Sequence, residues 1–457
     1  MRLLVFLFFC GLAAFGQDLQ KGVVIPAIQL EESREETFAL FLPIDYDESQ
    51  EFPVVIIFDD TGKGAEAVQQ FSIAANLTKS IIVAANYKFS DSLNISVKQS
   101  AALINKVYQN FSADISKLIL AGEGRGALIA STSAHLTSDV FGVIAINDIF
   151  VDEKILKKNP NVNFVILNND VGSQYYKLRG LKGRYSFREK LLGYYEFESM
   201  DSWPDKGYLA AALVDLLQAS SSLDEIQEYY KSDLAFANSL YSQRRHLEAF
   251  AFTSDIKKQY KKSVDIANQK LLSKKIRSNS TYKSNKLLRN AVLFEEQLLL
   301  DDFNFFMEED VQNAYFDNLG WWNFQMDELD AVIDSIARNR QSRKAAKRLK
   351  SYVQERVEAK HILYSQNNGS LEQLLFINIL RTLVNPSNQE AFINIISLSA
   401  KEGDDNASLF YLEELLRSGY TDYDSLYSID GTTALRISED WNEVVKAYLG
   451  KSKYYDN

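Results

Sequence analysis

The chain reads as an α/β protein: a mostly parallel sheet covered by helices, followed by an all-α domain of helical hairpins. Two observations predict this. From about residue 20 to 222, near-continuous runs of Val, Ile, Leu and Ala alternate with stretches of helix length. Strands buried on both faces of a helix-covered parallel sheet carry that pattern. After Ser220-Ser221-Ser222 the strand-like runs stop, and only Pro386 of the chain's six prolines lies beyond that point.

Taken in order, Val23–Leu30 and Thr37–Pro43 read as a strand pair at the start of the sheet. Phe52–Phe58, Ser80–Ala85, Leu118–Ala121, Val143–Ile146 and Phe164–Leu167 follow as buried strands, and Tyr194–Phe197 as the last one. Ala65–Leu77, Leu93–Gln109 and Gly207–Ala219 have helix length and amphipathic spacing. In the second half Asp224–Leu240, Leu287–Leu300, Leu329–Arg338 and Ser370–Leu383 read as helices joined by short polar turns. Trp321-Trp322 reads as helix-packing core. Asn406–Tyr420, with Leu435-Arg436 and Trp441–Val445, resembles the degenerate last unit of tetratricopeptide-type arrays, whose repeats bury their apolar faces only by stacking. The 34-residue signature of such arrays is not evident in the earlier hairpins.

At 457 residues the chain calls for two or three domains. The expected division is 1–16 as a signal peptide, 17–222 as the α/β domain and 223–457 as the helical-repeat domain. Met1-Arg2 leads into an apolar run through Phe9, and Ala13-Ala14-Phe15-Gly16 has the small residues a signal peptidase accepts. Cys10, the only cysteine, falls inside that segment, so the mature chain would have no disulfide. With no second hydrophobic span, the mature chain is expected not to cross a membrane. It is placed in a bacterial envelope, as a periplasmic or secreted protein. A net charge of −11 argues against nucleic acid or an anionic membrane surface as main partner. Basic residues cluster at 270–286 and 338–350, and read as solvated helix faces rather than a docking patch.

One strand-to-helix turn carries the most chemistry. Lys117–Ala121 is a strand, Gly122-Glu123-Gly124-Arg125-Gly126 a glycine-rich elbow, and Ala127 opens a small-residue helix. Serine hydrolases of the α/β type place G-x-S-x-G there, with the nucleophile at the tip of the turn. Residues 35–218 resemble the α/β-hydrolase superfamily, its bacterial esterase-like and depolymerase-like members in particular. The likeness rests on Phe38–Pro43 with Asp45-Tyr46, on Phe52–Phe58, on Gly62-Lys63-Gly64, on the elbow and on Ser199–Pro204. It implies a hydrolase-like fold and a triad in the order Ser, Asp, His. At the corresponding positions stand Gly124 for the serine, Asp170 for the acid, and Asp201, in Asp201-Ser202-Trp203-Pro204, for the histidine.

No other base is evident. The chain has three histidines: His135 is well along the helix after the elbow, and His246 and His361 fall in the helical half. Ser131 and Ser133 read as ordinary surface or packing serines. The remaining cleft residues, Gly62, Gly64, Glu123, Arg125 and Trp203, form a candidate site for a small carboxylate or ester-like ligand. Asp59, Asp60, Glu123, Asp170 and Asp201 all follow strand ends. Their convergence would favour Ca²⁺, whereas separate hydrogen-bonded acids would leave no metal site. No cofactor is expected. The leading expectation is a catalytically inactive hydrolase-type binding or scaffold module, with a helical domain that engages a protein or peptide. The alternative is a weakly active or unorthodox carboxylic-ester hydrolase, and a third reading gives the helical half the main role in envelope assembly.

Overall fold

The computed structural model describes residues 19–30, 35–90, 92–137, 139–152, 154, 161–184, 187, 189–199, 201 and 203–455. The expected signal segment and Cys10 lie outside them. Eight strands form one sheet: β1 (Val24–Gln29), β2 (Thr37–Phe41), β3 (Phe52–Phe58), β4 (Ile81–Ala85), β5 (Ala113–Glu123), β6 (Val140–Ile146), β7 (Asn163–Asn169) and β8 (Leu191–Phe197). Their order is β1-β2-β4-β3-β5-β6-β7-β8. β2 runs antiparallel to both β1 and β4, and the pairs from β4 through β3, β5 and β6 to β7 are parallel. The parallel pairs follow from the long helical connections, which return the chain to the same end of the sheet.

Val54–Phe58, Ile81–Ala85, Leu118–Gly122 and Val143–Ile146 are buried without a break. Such strands need cover on both faces. The cover comes from α1 (Gly64–Thr78), α2 (Leu93–Asn110), α3 (Arg125–Leu136) and α5 (Lys206–Leu217), with α1 packed on α5 and α2 on α3. β5 starts earlier than its apolar run. Ala113–Lys117 is half exposed, so hydrophobicity does not mark it, yet Ala113 already pairs with Phe52 of β3.

The remaining helices are α4 (Tyr175–Gly183), α6 (Leu223–Ser242), α7 (His246–Tyr260), α8 (Ala267–Ser278), α9 (Ser280–Asn313), α10 (Leu319–Asp334), α11 (Arg340–Gln366), α12 (Leu371–Val384), α13 (Gln389–Glu402), α14 (Asp405–Arg417), α15 (Tyr423–Leu426) and α16 (Glu439–Leu449). The helix expected over Leu329–Arg338 ends at Asp334 instead. Ile336, just past that end, is 93% exposed. Asn339 then accepts from the Ser342 N–H and caps the next helix. Leu287–Leu300 is the middle of the 34-residue α9.

The chain divides into two compact units that do not follow it linearly. One holds the chain up to Leu167 with Arg184–Tyr195 and Asp201–Asp233. The other holds Asn168–Gly183, the end of β8 from Glu196, and the chain from Leu234 onward. In this second unit α9 to α12 enclose a core around Phe303, Met307, Trp322, Val353 and Phe376. Trp322 is fully buried and donates to Asp310 at 2.8 Å. A further core joins Phe392, Leu412, Leu426 and Trp441. Among the described residues no helix is long and apolar enough to cross a membrane.

Candidate functional site

The expected strand-to-helix turn is present. β5 ends at Glu123 and α3 begins at Arg125, which leaves Gly124 alone at the turn with φ 53° and ψ −118°. Its N–H donates to Ile146 O at 2.8 Å, and its carbonyl accepts from the amides of Ala127 and Leu128. The two framing glycines are required by packing. A Cβ on Gly122 would lie 2.2 Å from the Gly126 carbonyl carbon, and one on Gly126 would lie 1.8 Å from Phe58 O. A Cβ on Gly124 would meet nothing within 4 Å. The tip therefore has room for a side chain, at the strain of a positive φ, and carries no hydroxyl.

The neighbouring candidates serve the turns around it. Arg125 forms an ion pair with Asp60 at 3.2 Å, off the line of a good hydrogen bond, and donates to Ser90 O. Glu123 accepts from the Asn147 side-chain amide at 2.9 Å. Asp59 accepts from Thr61 N–H, from the Thr61 hydroxyl at 2.7 Å and from Lys63 N–H at 2.6 Å, closing the loop after β3. In that loop Gly62 sits at φ 73°, and a Cβ on Gly64 would fall 2.6 Å from Ala85 O. Trp203 is half-buried, edge-on to Phe71 with ring centres 6.3 Å apart, and Asp201 is exposed. Each of Asp59, Asp60 and Glu123 thus has its own partner. Among the described residues no group of three or more His, Cys, Asp or Glu is placed to hold a metal ion.

His135 is a structural histidine. Its Nδ1–H donates to Ser131 O at 2.6 Å, and its Nε2 accepts from the Asp152 N–H at 3.3 Å. The assignment is fixed because a carbonyl only accepts and an amide only donates. Burial holds its pKa below the ordinary value, so the ring is neutral at pH 7. Ser131 and Ser133 are buried rather than on the surface. Ser131 Oγ donates to Ala127 O and accepts from Phe150 N–H, and Ser133 bonds Ser100.

Asp170, just past β7 and the residue expected to match the acid, is bound up in the second unit. Its N–H donates to Phe197 O at 2.8 Å. Its Oδ2 accepts from Lys344 Nζ at 2.7 Å, and its carbonyl accepts from Arg348 at 2.7 Å. Lys344 also meets Glu198 at 2.6 Å, and Arg340 pairs with the same carboxylate. Arg348 forks onto Glu296 with bonds of 2.7 and 2.6 Å, while Tyr176 donates its hydroxyl to Glu296 as well. Burial raises the Asp170 pKa, with Lys344 opposing. Burial would also raise Glu198, but Lys344 and Arg340 outweigh it and hold that carboxyl below its ordinary value. In a triad the acid orients an imidazole; here its Oδ2 is taken by an ammonium.

These cations come from the second basic run, expected from its sequence to be a solvated face. Lys344 and Arg348 are buried instead. One signal was available: they stand four apart, on one side of α11. Their acidic partners are remote in sequence, so no local pattern pairs them. His246, also passed over, lines a cavity with Asp170 and Lys344.

No family model matches the sequence, and no curated protein matches it. Among solved structures the chain is similar to a thermophilic esterase from the Planctomycetes species Thermogutta terrifontis, solved with propionate bound. That match has 14% identity and a TM-score of 0.33, over 44% of this chain and 93% of that one. S-formylglutathione hydrolase from Staphylococcus aureus gives 12% identity and a TM-score of 0.33, over 43% and 95%. A thermostable esterase gives 12% and 0.32 over 45% of this chain, which spans 62% of that esterase's length. Likeness of this size carries no argument about activity.

Proposed function

We propose that the protein is a catalytically inactive member of the α/β-hydrolase type that acts as a binding or scaffold module, with its helical region as the docking surface for a protein or peptide. The observation that supports this reading is Gly124: it stands at the tip of a strand-to-helix turn, where the resemblance puts the nucleophile, and has no side-chain atom to attack with. His135, the nearest histidine in sequence, has both ring nitrogens committed to backbone groups. A serine without a base is a poor nucleophile at neutral pH.

The helical region adds support for an interaction role. On α9, Leu287, Phe294, Leu298 and Phe305 are 73%, 68%, 55% and 61% exposed. Their spacings of seven, four and seven residues bring them onto one face over about 27 Å of helix. Exposed large apolar side chains lined up on one helix face are a mark of a protein-binding surface. The domain division at residue 222, and export to a bacterial envelope, belong to the same proposal.

A fluorophosphonate probe and a nitrophenyl ester test it together. The purified protein is expected to take no label and show no burst of nitrophenol. A labelled serine overturns the reading. Gly124→Ser combined with Asp201→His is expected to create measurable ester hydrolysis if both positions have been correctly matched to the triad.

A further inference from the structure

The second compact unit contains a cavity of about 170 Å³ with charged walls. Two helix N-termini open onto it. Arg245–Glu248 begin α7, of 15 residues, and Asn339–Gln341 begin α11, of 27. The first amides of a helix lack intrahelical acceptors, and the dipole puts its positive end there. Asn339 caps α11 through Ser342 N–H, whereas Arg245, at the N-cap of α7, supplies no acceptor.

Two buried groups point to a missing ligand. His246 is only 7% exposed, its ring stacked on Tyr241, and its Nδ1 makes no hydrogen bond. Asp170 Oδ1 is likewise buried and unbonded, since Lys344 takes the other oxygen. Buried polar atoms are nearly always satisfied, so two orphans on the wall of one cavity need a partner.

The charges indicate what that partner carries. Arg289 is taken by Glu196, Arg340 and Lys344 by Glu198, and Arg245 by Glu248. Arg244 is the exception. It is exposed, sits at φ 64° where glycine is the usual residue, and its guanidinium makes no ion pair or hydrogen bond among the described residues. The unspent charge is therefore one cation beside two helix N-termini, which suits a single carboxylate. The orphan Asp170 oxygen wants a donor and repels a second negative charge. Burial keeps His246 neutral at pH 7, so its ring adds no competing charge.

We propose that this cavity binds a small carboxylic acid bearing an amino or hydroxyl group. Its carboxylate is held by Arg244 and the first amides of α7 and α11, and its donor is shared by Asp170 Oδ1 and His246 Nδ1. The cavity volume equals that of about six waters, which is room for an amino acid or hydroxy acid of a few carbons. The inference stands apart from the elbow: a labelled serine would end the reading of an inactive hydrolase and leave this site intact.

Calorimetric titration of the full chain with L-serine, L-lactate, acetate and inorganic phosphate tests it. At least one of L-serine and L-lactate is expected to bind saturably, at least tenfold more tightly than acetate or phosphate, and binding of L-lactate would identify a hydroxyl group as a sufficient donor. Arg244→Ala, at an exposed side chain, is expected to fold normally and weaken that binding at least tenfold. Asp170→Asn is expected to reduce the preference over acetate. Absence of binding by both acids, tightest binding by phosphate, or undiminished affinity in Arg244→Ala overturns the proposal.

Discussion

The interior of the sheet and the interior of the helical region are built on different principles. Along β3, β4 and β6 the buried side chains are aliphatic or aromatic, and the backbone ladder satisfies the polar groups. Among α9 to α12 the core also contains Glu296, Asp310, Arg348 and Arg381, each with a bonded partner. The sheet is held by area removed from water, which tolerates some change of residue. The helical unit depends on charges that are neutral only as pairs, where losing one partner leaves a buried ion uncompensated. Gly124 and Asp170 repeat the contrast. Gly124 sits in a turn whose neighbours are fixed by backbone packing, while the Asp170 carboxylate is held in a salt-bridge network.

The largest expected effect tests the charged interior. Glu296→Ala strands Arg348 and the Tyr176 hydroxyl, and is expected to cost ~3–5 kcal/mol in denaturant unfolding. Replacing both partners, Glu296→Leu with Arg348→Met, is expected to recover most of that loss. If the double variant is as unstable as the single one, the pair is more than a mutual compensation.

The elbow offers the next comparison. Gly126→Ala forces a methyl onto Phe58 O and is expected to destabilise by about 1–3 kcal/mol, as overpacking does. Gly124→Ala meets no neighbour, and its cost is the backbone strain of φ 53° with ψ −118°, about 1–3 kcal/mol. A Gly126→Ala midpoint in urea equal to that of the unsubstituted protein would show that this framing glycine is not a steric requirement. At a similar scale, Ser370→Ala removes the capping box at the start of α12 and is expected to cost ~1 kcal/mol.

Acidification gives a smaller, graded effect. Burial lowers the pKa of His135, His246 and His361 in the folded state. The unfolded chain therefore binds more protons once the pH drops below about 6.5, and stability falls with pH. The slope is at most about 1.4 kcal/mol per pH unit for each proton. Below about 4.5 Glu198, held low by its cations, adds to the loss, whereas Asp170, whose pKa is raised, partly offsets it. Thermal melts from pH 7.5 to 5.5 should show a declining midpoint, and His135→Gln should flatten that decline. A flat profile would mean the histidines are not buried neutral.

Much of the sheet was legible because its signals are local. Val54–Phe58 or Val143–Ile146 can be recognised without knowing their neighbours, since burial on both faces leaves an unbroken apolar run. The turn after β5 was legible for the same reason: five consecutive residues specify it, and the glycine at its tip is visible in the letters. The helical half was less clear. Leu329–Arg338 reads as one helix, yet the helix ends at Asp334, and α4 is only nine residues long. The site around Asp170 was the hardest to read. Lys344 lies 174 residues from Asp170 and Arg348 lies 52 from Glu296. A basic run on a helix looks the same whether water or carboxylates surround it.

By itself, the sequence settled which segments are strands in the parallel core, and that a glycine stands at the tip of the turn after β5. Both depend on properties carried by single residues or their immediate neighbours: apolar area, β-branching, a glycine's missing Cβ. Only the tertiary structure decided which charges are buried and which partner neutralises each, and that His135 is bound on both nitrogens. The energy of an ion depends on what surrounds it within a few ångströms, and folding brings those surroundings from distant parts of the chain.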